Sequence, residues 1–79
     1  MDYTPEYKNW LYNLQPQDFV NIYEYHYNKQ GEVELGKRVG RGYVLAISNR
    51  YIQVQVGKAT HLFEVMTGKS KGGNFILRS

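Results

Sequence analysis

The chain has 79 residues, no cysteine, 42% hydrophobic and 15% aromatic side chains, and a formal net charge of +3 at neutral pH. That is the length of a single domain, residues 1–79, and the missing thiols exclude disulfides and thiolate metal centres. The aromatic and β-branched content excludes a disordered chain, no apolar run nears the roughly 18 residues that cross a bilayer, and Met1-Asp2-Tyr3-Thr4-Pro5-Glu6 lacks the pattern of a signal peptide, so a soluble, cytoplasmic protein without membrane contact is expected.

A helix is expected over about residues 5–14. Tyr7, Trp10, Leu11 and Leu14 fall at i, i+3, i+4 and i+7, one apolar stripe at helical spacing. Thr4 is placed to cap it, Pro5 suits its first position, and Glu6 complements the positive end of its dipole. Pro16 closes the segment by disfavouring helical geometry at Gln15. So short a helix needs packing to persist, and Trp10 is expected to plug the core.

From Asp18 the period changes to two. Phe19-Val20-Asn21-Ile22-Tyr23-Glu24-Tyr25-His26-Tyr27 reads as a strand. Val20, Ile22, Glu24 and His26 fall on one face, and Phe19, Asn21, Tyr23, Tyr25 and Tyr27 on the other. Either face can be the buried one, and a bulge would exchange them midway. Asn28-Lys29-Gln30-Gly31 signals a turn. Residues 36–42, Gly-Lys-Arg-Val-Gly-Arg-Gly, read as a glycine-rich basic loop.

Strands follow at 43–47 and 51–56, joined by a tight turn at Ser48-Asn49-Arg50 in which Asn49 tolerates positive φ. The second alternates cleanly, with Ile52, Val54 and Val56 inward. Gly57-Lys58 turns the chain into a strand over 61–66, residues 67–74 form a second basic, glycine-rich loop, and Phe75-Ile76-Leu77-Arg78 closes the chain as a short strand. The expectation is a mainly β fold, with one short N-terminal helix and about five antiparallel strands in a small barrel over about residues 18–78.

Leu14-Gln15-Pro16-Gln17-Asp18-Phe19-Val20 resembles the L-x-P-G-D-x-V lead-in to the first strand of SH3-like barrels, with Gln17 in place of the glycine. Gly42-Tyr43-Val44-Leu45-Ala46-Ile47 followed by Tyr51-Ile52-Gln53-Val54 is similar to the hairpin of KOW-type modules. The stretch from Phe63 to Arg78, with Thr67-Gly68 and Gly72-Gly73, looks like the ending of small phage-encoded SH3-like proteins. The resemblance spans roughly residues 14–78. It implies an SH3-like barrel, a phage or mobile-element origin, and RNA or ribosomal and transcription machinery as the common partners of such modules. A barrel of this kind hosts unrelated activities, so the site must carry the function.

Catalytic motifs are incomplete. Gly68-Lys69-Ser70 looks like the end of a phosphate-binding loop, but Phe63 occupies the position of its first glycine. Gly40-Arg41-Gly42 starts a dinucleotide fingerprint whose third glycine is replaced by Leu45. His26 and His61, without cysteine, make a poor metal set. No serine sits in a nucleophile elbow, and Glu32 and Glu34 fit a charged strand edge. Neither enzymatic activity nor a cofactor is expected.

Charge is segregated along the chain. Residues up to Leu35 carry two cationic and six acidic side chains, a net of −4, and those after it carry eight against one, a net of +7. Basic side chains interleaved with aromatic rings point to an anionic partner. Lys37, Arg38, Arg41, Tyr43, Arg50, Tyr51, Lys69 and Lys71 form the candidate nucleic-acid site, with four to six phosphate contacts feasible if the fold assembles the basic loops and the tyrosines stack on bases. A second possibility is an inhibitor of a host defence or replication enzyme, with Tyr23, Tyr25 and Tyr27 as interface anchors. A third is a sponge for an anionic nucleotide signal. An exposed edge strand also permits a homodimer.

Overall fold

The computed structural model describes residues 4–79, and the expectations placed on Met1, Asp2 and Tyr3 lie outside it. The elements are α1 (Pro5–Tyr12), β1 (Phe19–Tyr27), β2 (Val33–Ile47), β3 (Tyr51–Val56), β4 (Ala59–Glu64) and β5 (Phe75–Arg78). The strands form one antiparallel sheet in the order β4-β3-β2-β1-β5. No described helix is long and apolar enough to cross a membrane.

Helix α1 starts as its sequence directs. Thr4 is the cap, its hydroxyl accepting the Tyr7 N–H at 3.1 Å, and Pro5 opens the first turn. Tyr7 and Leu11 are buried, and Leu14 is buried just beyond the helix. Trp10 does not plug the core. It is half-buried, packing against the cluster from its rim, and Tyr7 and Leu11 fill the role expected of it.

Gln15, Pro16, Gln17 and Asp18 then make a turn with the features of type II: proline at its second position, Gln17 at φ 80°, and the Asp18 N–H donating to the Gln15 carbonyl at 3.1 Å. The Asp18 carboxylate accepts the Gln15 N–H at 2.9 Å and holds the turn from the side.

The main departure from expectation is β2. The segment 36–42 is not a loop but the middle of a 15-residue strand. None of Gly36, Gly40 and Gly42 has positive φ. At Gly42 the absent side chain permits a close approach: a Cβ there would stand 2.2 Å from the Gln55 carbonyl oxygen of β3. The β1–β2 register shifts between Ile22 and Tyr23 and again between Tyr23 and Tyr25, and the β2–β3 register shifts between Val44 and Ala46. Such bulges bend and twist a strand, which lets β2 pair with β1 over Val33–Tyr43 and then with β3 over Tyr43–Ile47.

The same shifts settle the faces of β1. Val20 and Ile22 are buried; past the shift, Tyr23 and Tyr25 turn inward and pack against the core. The bulge exchanges the faces midway. The core is one cluster, formed by Tyr7, Leu11, Leu14, Val20, Ile22, Val33, Val44, Ile52, Val54, Phe63, Ile76 and Leu77. Asn49 does not take positive φ, and the turn at 48–51 is held instead by the Ser48 N–H and hydroxyl, both on the Tyr51 carbonyl.

No ladder joins β4 to β5, so the sheet is not closed. Residues 68–71 lie between these two strands. Ser70 bridges to Phe63 and Lys69 to Ile76. The Glu64 N–H donates to the Lys69 carbonyl (2.8 Å), the Lys71 N–H to Leu62 (2.9 Å), the Ser70 N–H to Phe75 (2.7 Å), and the Leu77 N–H to Gly68 (2.9 Å). The β4 edge is thereby capped at Leu62, Phe63 and Glu64 and the β5 edge at Phe75, Ile76 and Leu77, while the side of β2 away from β1 is laddered only over Tyr43–Ile47.

Candidate functional site

Because Val20 and Ile22 face the core, Phe19 and Asn21 of β1 face outward. Directly paired residues share a face, so Tyr43, opposite Phe19, and Arg41, opposite Asn21, stand beside them. Phe19 is 65% exposed and Tyr43 38%. The Arg41 guanidinium lies over the Phe19 ring, 4.9 Å from its centroid. Arg38 joins the group by donating to the Asn21 side-chain oxygen at 3.2 Å, and the Asn21 amide nitrogen donates to the Ser79 carbonyl, also at 3.2 Å. Asn21 is thus fixed from one side and orients Arg38 from the other. Among the described residues neither Arg38 nor Arg41 has a carboxylate partner; the Glu34 carboxylate lies farther along the same hairpin, 3.0 Å from the His26 Nε2.

The remaining candidate residues divide into two groups. Arg50 and Lys71 come together around Tyr51, at 5.7 Å and 5.8 Å from the ring centroid, although they are far apart in sequence. Glu64 is the cross-strand partner of Tyr51, so a carboxylate backbone neighbour dilutes the positive field there. Lys69 belongs to a structural contact. Its ammonium lies 5.3 Å from the Tyr25 ring and 4.8 Å from the Tyr27 ring, and it donates to the Tyr27 hydroxyl. It clasps residues 68–71 onto the β1–β2 hairpin.

Two expectations about this site are therefore corrected. Lys37, Arg38 and Arg41 do not lie in a loop; they sit in β2, where Arg38 and Arg41 are paired to β1. The basic residues do not form one continuous rim: Arg38 and Arg41 are on the β1–β2 face, Lys37 is exposed in the same strand, Arg50 and Lys71 flank Tyr51, and Lys69 is committed to two tyrosines. Of the expected interface tyrosines, Tyr23 and Tyr25 are half-buried against the core and Tyr27 remains exposed beneath Lys69.

Phe19 and Asn21 are the members of the face that sequence reading did not single out. A signal was present. Arg41 and Tyr43 are two apart in one strand, so they share a face, and whichever strand pairs there must supply an outward partner for each.

What the face offers chemically is two planar guanidinium groups, each a bidentate donor to phosphate, beside two exposed rings able to stack. No protein-family model, curated protein or solved structure matches this chain.

Proposed function

We propose that the chain is a non-enzymatic, SH3-like binding module, of the phage-encoded kind its motifs resemble, and that it binds nucleic acid on the outer face of β1 and β2. The observation that carries the reading is the juxtaposition of Arg38 and Arg41, unpaired with carboxylates among the described residues, with exposed Phe19 and Tyr43. The barrel part of the proposal is supported by residues 68–71, which fill the gap between β4 and β5 with hydrogen bonds to both. It is also supported by Gln17, which adopts positive φ at the position where the resembled motif has glycine.

Affinity on such a face comes mainly from neutralised phosphates, so it falls with salt. Arg38 and Arg41 engage about two phosphates, which for a single strand gives a slope of roughly −1.4 in log K against log salt, about a sevenfold loss between 50 and 200 mM salt. Fluorescence anisotropy with labelled RNA and DNA oligonucleotides at the two salt concentrations tests the reading; no binding at the lower one rejects it.

A second reading, an inhibitor that docks on a host protein, is favoured by a different place. Leu11, Tyr12, Leu14, Ile47, Ser48, Ile52 and Val65 line a groove of about 160 Å³ at the helix end, and Tyr12, Ile47 and Met66 are exposed nearby. Capture of one host protein that survives nuclease treatment, and is lost in Tyr12→Ser, would favour it.

A further inference from the structure

The form of nucleic acid is written into the same face, and this inference rests on the reading above. A duplex hides the faces of its bases inside the stack and presents phosphates and groove edges. A surface meant for duplex therefore relies on cations and hydrogen-bonding side chains that reach into a groove, and an exposed ring engages it by stacking only when driven between base steps at the cost of unstacking them. Here both rings are exposed on the face, together with the two arginines. Phe19 is 65% exposed in a strand whose other face is core, and Tyr43 stands directly across from it. Phenylalanine carries no polar group, so nothing about its own hydration favours that position.

The cations are arranged around the rings rather than apart from them. The Arg41 guanidinium lies over the Phe19 ring, 4.9 Å from its centroid, and two residues along β1 Asn21 holds Arg38 at 3.2 Å. Each step of two residues along a strand is about 6.6 Å, and neighbouring strands are about 4.8 Å apart. Rings and guanidinium groups thus succeed one another at spacings comparable to those of successive nucleotides in an extended strand.

We infer that the β1–β2 face binds single-stranded nucleic acid, with bases stacked on Phe19 and Tyr43 and the sugar–phosphate backbone running over Arg41 and Arg38. Stacking on an aromatic ring tolerates any base, so the face discriminates strand form rather than sequence. Asn21 acts as a positioning residue, through Arg38.

The test compares a labelled single-stranded oligonucleotide of about ten nucleotides, as RNA and as DNA, with the blunt duplex of the same sequence, at 50 mM salt. Single strand is expected to bind at least tenfold more tightly than duplex. Phe19→Thr, which keeps a β-forming residue at this exposed position, is expected to weaken single-strand binding by roughly 5- to 150-fold without changing the salt slope. Arg41→Gln is expected to weaken it and to reduce the slope by about 0.7. Circular dichroism and a thermal melt verify that each variant is folded. Equal affinity for duplex, or a folded Phe19→Thr that binds single strand like the parent, overturns the single-strand inference while leaving nucleic-acid binding intact. Absence of binding to every probe overturns the parent reading instead. A tenfold difference between RNA and DNA identifies which sugar the face accepts, and supports the inference in either direction provided duplex remains weaker.

Discussion

Gly68→Ala is expected to be far more harmful than a one-carbon change suggests, and the reason can be isolated by a second substitution. Gly68 is buried at φ 73°, and an added Cβ would stand 2.0 Å from the Tyr7 hydroxyl oxygen and 3.1 Å from the ring carbon that bears it. An alanine in the left-handed region costs about 1–2 kcal/mol, partly offset by the smaller entropy that alanine loses on folding, leaving about 1 kcal/mol. The larger part is steric. Tyr7 must withdraw, which breaks its buried 2.8 Å hydrogen bond to the Leu77 carbonyl, at a cost of about 1–3 kcal/mol. The sum, about 2–4 kcal/mol, is a large share of the roughly 4–12 kcal/mol that stabilises a domain of this length. In a Tyr7→Phe background the hydroxyl is gone, the nearest ring atom is at a distance that small movements relieve, and Gly68→Ala should cost only the backbone part, about 1 kcal/mol. Urea unfolding followed by Trp10 fluorescence on the parent, both single variants and the double variant measures the coupling, expected at about 1–3 kcal/mol. Melting temperatures should follow at about 4–8 °C per kcal/mol. If Gly68→Ala costs the same with and without the hydroxyl, the steric argument is wrong.

Other substitutions probe the remaining contacts. Gln17→Gly relieves a non-glycine residue at φ 80° and should raise stability by about 0.5–1 kcal/mol, read as a higher melting temperature. Gly42→Ala, whose Cβ would lie 2.2 Å from the Gln55 carbonyl oxygen, should cost about 3 kcal/mol or prevent folding, whereas Gly40→Ala, whose closest neighbour is Val56 at 3.4 Å, should cost less than about 1 kcal/mol; equal melting temperatures for the two would contradict the role given to Gly42. Thr4→Ala removes the cap on α1 and should cost about 1 kcal/mol by chemical denaturation.

The parts of this structure that were legible in the sequence are those set by neighbours in the chain. Thr4 and Pro5 announce the helix start because capping is a matter of three or four residues, and Ile52 and Val54 announce their buried face because alternation is local. The segment 36–42 was misread because three glycines suggest turning, whereas Gly42 answers to a distant strand: what it accommodates is the Gln55 carbonyl, and nothing between residues 36 and 42 encodes that. The orientation of Tyr23 and Tyr25 depends on register shifts against β2, again a property of a pair of strands. The site followed the same rule. Arg41 and Tyr43 were recognisable as a basic and aromatic pair, while Phe19 and Asn21 become visible only when β1 is laid beside them. Conversely, Lys69 looked like a binding residue because its loop is polar, and its two aromatic partners arrive from another part of the chain.

The hydrogen bond from Tyr7 to Leu77 joins groups 70 positions apart, and it has a kinetic meaning. Closing a loop of that length costs about 2.5 kcal/mol more entropy than closing a four-residue turn. The β2-β3-β4 meander, linked by short turns, can assemble without that cost, whereas β5 and the helix must find each other across almost the whole molecule. On loop-closure entropy alone, docking of these two elements carries a cost equivalent to nearly two orders of magnitude relative to closing a hairpin turn. A chain that stalls before it would expose the free edge of β1 and the apolar face of the sheet, the surfaces through which such chains associate.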